Sequence, residues 1–182
     1  MASRWPKAAE SITRHRAKSG CPSGVRVLGW GMERCAECGG LLPESGDCWR
    51  RVGELLEVEQ RVLDGGEGAL RAHYFAIATY QLQHPSRMSR VAAELLRSGV
   101  ARMLDDPVPI AQLRREVRRE TRGVKVAGTP GDRSEVDPRW PTDWAVAAVD
   151  VLGRPDSEYV VAVREWAAVT IAALDAVVPR RA

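Results

Sequence analysis

With 182 residues, 45% of them apolar and 28% charged, the sequence has the make-up of one globular domain with a real core. No stretch reaches the roughly 18 apolar residues of a membrane span, and the first thirty residues lack the apolar segment of a secretory signal. Neither a membrane span nor an export signal is expected from this, and a cytoplasmic location is expected. The formal net charge of +3 is uneven: residues 1–32 carry six Lys/Arg against one Glu, residues 114–125 carry six against two, and the remainder is net acidic.

Residues 1–32 mix Ser, Gly, Pro and basic side chains without a period and read as a disordered basic arm. Met32 would serve as a second start position that makes this arm dispensable. Residues 33–182 read as a single domain. Its opening, residues 33–47, is a loop built on Cys-Ala-Glu-Cys-Gly-Gly, Pro43 and Gly46. Asp47 caps a first helix beginning at Cys48, with Val52, Leu55, Leu56, Val62 and Leu63 as its apolar stripe. Asp64-Gly65-Gly66 ends it. A second helix is expected over about 67–83, stopped by Pro85. A third follows over about 86–104 with Val91, Leu95, Val100 and Met103 inward, and a fourth over about 108–121. Residues 122–141 read as a long surface loop rich in Gly and Pro. Thr142 is placed as the cap of a fifth helix through Leu152, and a sixth covers about 156–178. No internal repeat and no strand is apparent. The expected fold class is all-α: a bundle of about six helices with an N-terminal zinc-knuckle loop.

The cysteines carry the sharpest chemistry. Disulfides are not expected in a reducing cytoplasm, so four cysteines read as metal ligands or free thiols. Cys35, Cys38 and Cys48 follow the pattern Cys-x2-Cys-x9-Cys, and the first pair followed by Gly is a common zinc knuckle whose tight turn aims two thiolates at one point. Zinc takes four nitrogen or sulfur ligands in a tetrahedron. The fourth comes from Cys21, His73, His84 or, more weakly, His15. His73 and His84 are eleven residues apart, about 16 Å along a helix, so one ion cannot take both. The short Gly-Gly turn makes the first two helices antiparallel. Cys48 and His84 stand at similar distances on either side of it and meet at one level, while His73 falls opposite Glu57 and Glu59. His84 is the better fourth ligand; Cys21 would replace it in a four-thiol site. A thioredoxin-type reading of Cys35 and Cys38 lacks the flanking strands it needs.

His73, Tyr80 and His84 also share one line of the second helix, with Gln83 beside them. One reading is a pocket in which His73 acts as acid/base or metal ligand with Glu54 or Glu57, and Tyr80 nearby. The plainer one is a buried histidine bonded to a glutamate, with Tyr80 in the core. No phosphate loop, Ser/His/Asp order or HExxH motif is present.

Taken together, CAECGG, the third cysteine before a helix, and the phrase His73-x6-Tyr80-x2-Gln83-His84-Pro85 resemble the uncharacterised bacterial family known as the domain of unknown function 5946. The likeness is strongest over residues 33–105 and looser around Trp144 and Trp166. Members of that family carry a histidine pair just before the last helix; this chain has Ser157, Glu158 and Tyr159 there, so a second metal at that place is not implied. The resemblance supports the metal site and brings no activity with it.

Three functions follow in order of support. The first is a non-catalytic, zinc-stabilised accessory or interaction module with a Cys3His site, in which chelation unfolds the protein and His73→Ala is nearly silent. The second is a metalloenzyme with a pocket at His73, Glu57 and Tyr80; whether the chain is an enzyme stays open. The third is a nucleic-acid-binding regulator using the basic arm and residues 114–125, which lack the interleaved aromatics of a stacking surface. The partner is an unidentified protein or small molecule, with nucleic acid not favoured and no membrane.

Overall fold

Helical periodicity governs most of the chain, and the structure, a computed structural model, describes residues 26–28, 32–120 and 137–178. The first elements are two short strands, β1 (Arg26–Leu28) and β2 (Met32–Arg34), paired antiparallel with Arg26 opposite Arg34. This differs from the strand-free expectation: the knuckle loop needs a pairing partner for its polar backbone, and a bridge between Arg34 and Leu41 continues the ribbon. The rest of the expected arm lies outside the described residues.

Six α-helices follow among the described residues: α1 (Trp49–Val62), α2 (Gly66–Gln83), α3 (Arg90–Asp105), α4 (Ile110–Glu120), α5 (Ala148–Leu152) and α6 (Tyr159–Val177). The all-α expectation is met. Asp47 does cap α1, its carboxylate accepting from the Trp49 N–H at 3.0 Å. The α1–α2 turn uses Gly65 and Gly66, both at positive φ, and folds the two helices into an antiparallel hairpin. Pro85 does more than stop α2: it opens a 3-10 turn (Pro85–Arg87), and α3 starts only after Ser89, which accepts from the Ala92 N–H. Val91 was placed inward by periodicity but is exposed, because this later start turns Ala92 and Ala93 to the core.

The largest departure is the fifth helix. Thr142 caps nothing; residues 137–147 form an irregular strap, and α5 begins at Ala148 with the Asp150 carboxylate accepting from the Ala147 N–H. The strap is held by side chains instead of helical hydrogen bonds. Trp140 Nε1 donates to the Leu82 carbonyl at 2.8 Å, one of the terminal carbonyls that α2 cannot satisfy internally. Residues 121–136 of the expected long loop lie outside the described residues.

The core sits between α2, α3 and α6, where Leu82, Ala93, Val100, Met103, Val163, Trp166 and Leu174 are fully buried. α2 and α6 form the broadest interface and run parallel. Arg97 of α3 is buried and ties that helix to the end of α6, donating to Asp175 and to the Val178 carbonyl. Among the described residues no helix is long and apolar enough to cross a membrane.

Candidate metal centre

The knuckle is shaped by its backbone. The Cys35 N–H donates to the Gly40 carbonyl and the Gly39 N–H to the Cys35 carbonyl, each at 2.9 Å, closing a tight turn under the two sulfurs. Gly39 sits at φ +69°, in the left-handed region where a side chain is strained. Gly40 has a different reason to be glycine: a Cβ there would stand 3.0 Å from the Ala147 Cβ and 3.4 Å from the Cys38 sulfur. The Cys-Gly-Gly run thus lets the strap close onto the knuckle.

The other two groups arrive from the helical hairpin. Cys48 precedes α1, and His84 follows α2, so they stand at equal distances from Gly66 and meet at one end of the hairpin. Cys35 Sγ lies 3.5 Å from His84 Nε2, Cys38 Sγ lies 3.5 Å from Cys48 Sγ, and the four ligand atoms all fall within 4.8 Å of one another. All four residues are buried and the cysteines are unpaired as thiols. The group could hold a metal ion. Cys21 and His15, weighed as alternative ligands, lie outside the described residues.

The imidazole is aimed by α2 itself. His84 Nδ1 donates to the Tyr80 carbonyl at 2.7 Å, which leaves Nε2 to face the sulfurs. The Tyr80 ring stacks on the imidazole with centroids 3.9 Å apart, and Trp49 packs edge-on against Tyr80 at 5.2 Å. Burial pulls the His84 pKa down, but hydrogen bonding to Cys35 and Cys38 outweighs it and lifts the value to about 10. Hydrogen bonds from Cys38 and Cys48 hold the Cys35 thiol well below its ordinary value, while the same crowd pushes Cys48 well above. A donor set this close cannot ionise fully without a cation among the sulfurs.

A second layer was not visible in the sequence pattern. Glu37, between the two knuckle cysteines, is buried. Its carboxylate accepts from the Ser86 N–H at 3.1 Å and the Ser86 hydroxyl at 2.6 Å, clamping the knuckle to the turn that follows His84. Trp144 Nε1 donates to the Glu37 carbonyl at 3.1 Å, and Gln83 Nε2 donates to the Val146 carbonyl at 2.8 Å. The sequence shows only an acid inside the Cys-x-x-Cys; its burial, and hence the pairing a buried acid needs, comes from the tertiary contact with Ser86.

The proposed catalytic trio is spread out. His73 Nδ1 meets Glu59 at 3.0 Å, whereas Glu57 is exposed and Tyr80 is committed to the His84 ring. Glu59 also accepts from the Tyr159 hydroxyl at 3.2 Å, so one carboxylate joins α1, α2 and α6. The hydrogen bond to Glu59 raises the His73 pKa above its ordinary value. Glu59 was legible in hindsight: it stands four residues after Leu55 and seven after Val52, on the buried face of α1, and Glu57 does not.

No curated protein and no solved structure matches this chain. Residues 33–175, which contain all four ligand residues, the strap and every helical element up to the last turns of α6, match the group described as Family of unknown function (DUF5946), and the chain belongs to that family.

Proposed function

We propose that the chain is a zinc-binding helical protein of the cytoplasm, in which a Cys3His site is structural and the module serves as a non-catalytic accessory or interaction protein. The supporting observation is the closed donor set. Tetrahedral zinc with Zn–S of about 2.3 Å and Zn–N of about 2.0 Å separates its ligand atoms by roughly 3.5–3.8 Å. Two of the separations, each 3.5 Å, fit that tetrahedron, all four atoms lie within 4.8 Å of one another, and four protein donors would fill the coordination of such an ion. Catalytic zinc keeps such a position open.

The test is metal content per chain after purification without added metal. The expected result is one zinc in the wild type and in His73→Ala, and none in His84→Ala or Cys38→Ser. Retention of full zinc by His84→Ala would overturn the assignment.

The metalloenzyme reading retains one support, the orientation of His73 by Glu59; it would require a second equivalent of metal that His73→Ala abolishes. The nucleic-acid reading rests on the exposed arginines of α4, Arg114, Arg115, Arg118 and Arg119, and requires steeply salt-dependent retention of DNA or RNA.

A further inference from the structure

Behind His84, the α2–α6 interface holds a polar layer inside an apolar core. The two helices run in parallel and are matched at two levels. Glu59 links His73 to Tyr159 at one, and Gln83 Nε2 donates to Thr170 Oγ1 at 3.0 Å at the other. One turn before the second contact stand Thr79 on α2 and Trp166 on α6, which this register sets side by side. Thr79, Gln83, Trp166 and Thr170 are each at most 1% exposed.

Three atoms of this layer have no protein partner: Thr79 Oγ1, Gln83 Oε1 and Trp166 Nε1. The Gln83 amide cannot be turned over to remedy this. Its nitrogen already donates to the Val146 carbonyl, and an oxygen in that place would face another oxygen. Thr79 does not return its hydroxyl to the preceding turn of α2, the usual refuge of a buried helical threonine. What this register brings to one layer is therefore one obligate donor, one obligate acceptor and one hydroxyl that can be either. Leaving each unmet forfeits the hydration of a buried polar group, and orphans seldom cluster in a native core. The indole N–H disfavours a cation at this point and the amide oxygen disfavours an anion. A neutral ligand of both characters, with two to four polar partners, is what a buried water needs.

We propose that the α2–α6 interface holds one internal water molecule bound by Trp166 Nε1, Gln83 Oε1 and Thr79 Oγ1. It accepts from the indole, donates to the amide oxygen and shares a hydrogen bond with the threonine. Its consequence reaches the metal centre through Gln83. With its oxygen anchored, the amide of Gln83, the residue just before His84, is held in the one orientation that grips the strap at Val146. The site does not depend on the identity of the metal.

The test uses the metal-loaded full chain. In 15N-edited water-exchange spectra, the Trp166 indole N–H, identified by its loss in Trp166→Phe, is expected to show a cross-peak to water with the sign of a residence time of nanoseconds or longer. Thr79→Val, which keeps the shape and removes the hydroxyl, is expected to weaken that peak severalfold. A high-resolution crystal structure of the wild type is expected to place a solvent peak about 2.7–3.2 Å from all three atoms. The proposal is overturned if the wild-type indole shows no water cross-peak, or if the crystal shows Trp166 Nε1 bonded directly to Gln83 Oε1 or Thr79 Oγ1. Should either variant fail to fold, the two wild-type measurements still decide.

Discussion

The knuckle (residues 33–48) and the α2–α3–α6 core lie side by side but bury different chemistry. The knuckle buries three cysteines, Gly40 and the carboxylate of Glu37, with Leu41 and Leu42 only half covered. The core buries Leu82, Met103, Val163, Trp166 and Leu174 completely. Apolar burial at about 25 cal/mol per Å² holds the core without help. The knuckle has too little apolar surface for that, and its sulfurs repel one another once ionised. On the proposed reading its order depends on an ion that joins them, together with the clamp to Ser86 and the strap.

Stripping the metal breaks the comparison most severely. Structural zinc contributes about 10 kcal/mol or more of folding free energy in small sites. Chelation at neutral pH is expected to abolish amide protection over residues 35–48 and to release the strap, with α2 and α6 the last to lose protection. Hydrogen exchange followed by segment reads this directly. Uniform loss of protection across knuckle and core would show that the two regions are one cooperative unit.

Leu174→Ala probes the other side. It opens a cavity in the core without removing any of the four donors and is expected to cost about 2–5 kcal/mol. Denaturant titration in the presence of zinc measures the loss, and metal content should stay at the wild-type value. Loss of zinc in this variant would mean that the core sets the geometry of the centre.

Within the knuckle, Glu37→Gln keeps the shape and weakens two hydrogen bonds from Ser86. A loss of about 1–2 kcal/mol is expected, the difference between charge-assisted and neutral bonds. Gly39→Ala is expected to cost about 1–2 kcal/mol, because alanine is strained at φ +69°. Both variants should bind zinc more weakly in competition with a chelator, and neither should change the far-ultraviolet circular dichroism of the helices.

The same contrast explains what could be read from the chain alone. Cys35, Cys38 and Cys48 announce themselves by spacing, and hairpin symmetry about Gly66 selects His84 over His73, because helix geometry is rigid and the turn is short. Helices α1, α2 and α6 follow from their periodic stripes. The strap does not, because its order comes from Trp140, Trp144 and Gln83 reaching backbone carbonyls on other segments. Such contacts leave no period. Thr142 ahead of Trp144 and Val151 resembles a helix start, and tertiary hydrogen bonds overrode that local preference. Glu57 and Glu59 both stand level with His73 along the hairpin, and only the face of α1 separates them: Glu59 lies on the side of Val52 and Leu55, and Glu57 is exposed.

The smallest expected effect concerns the far end of the hairpin, where His73 and Glu59 join α1 to α2 without any metal. The hydrogen bond to Glu59 is the main cause of the raised His73 pKa; partial burial and the charge of Arg114 oppose it. A raised folded-state pKa means that protonation favours the folded chain. The stabilisation is complete below the ordinary histidine value of about 6.5 and disappears as pH rises through the folded-state value. The side chain of His73 is 43% exposed, so solvent screens the pair and the gain is small. In the zinc-loaded protein, the His73 ring resonance is expected to titrate above pH 6.5, and Glu59→Gln should bring its midpoint down. Stability measured at pH 6 and at pH 8 should differ less in Glu59→Gln than in the wild type. Since the zinc ligands also respond to pH, the wild-type-minus-variant difference isolates this pair. A His73 midpoint that Glu59→Gln leaves unmoved would assign the shift to other surroundings and remove the link between the two helices at this level.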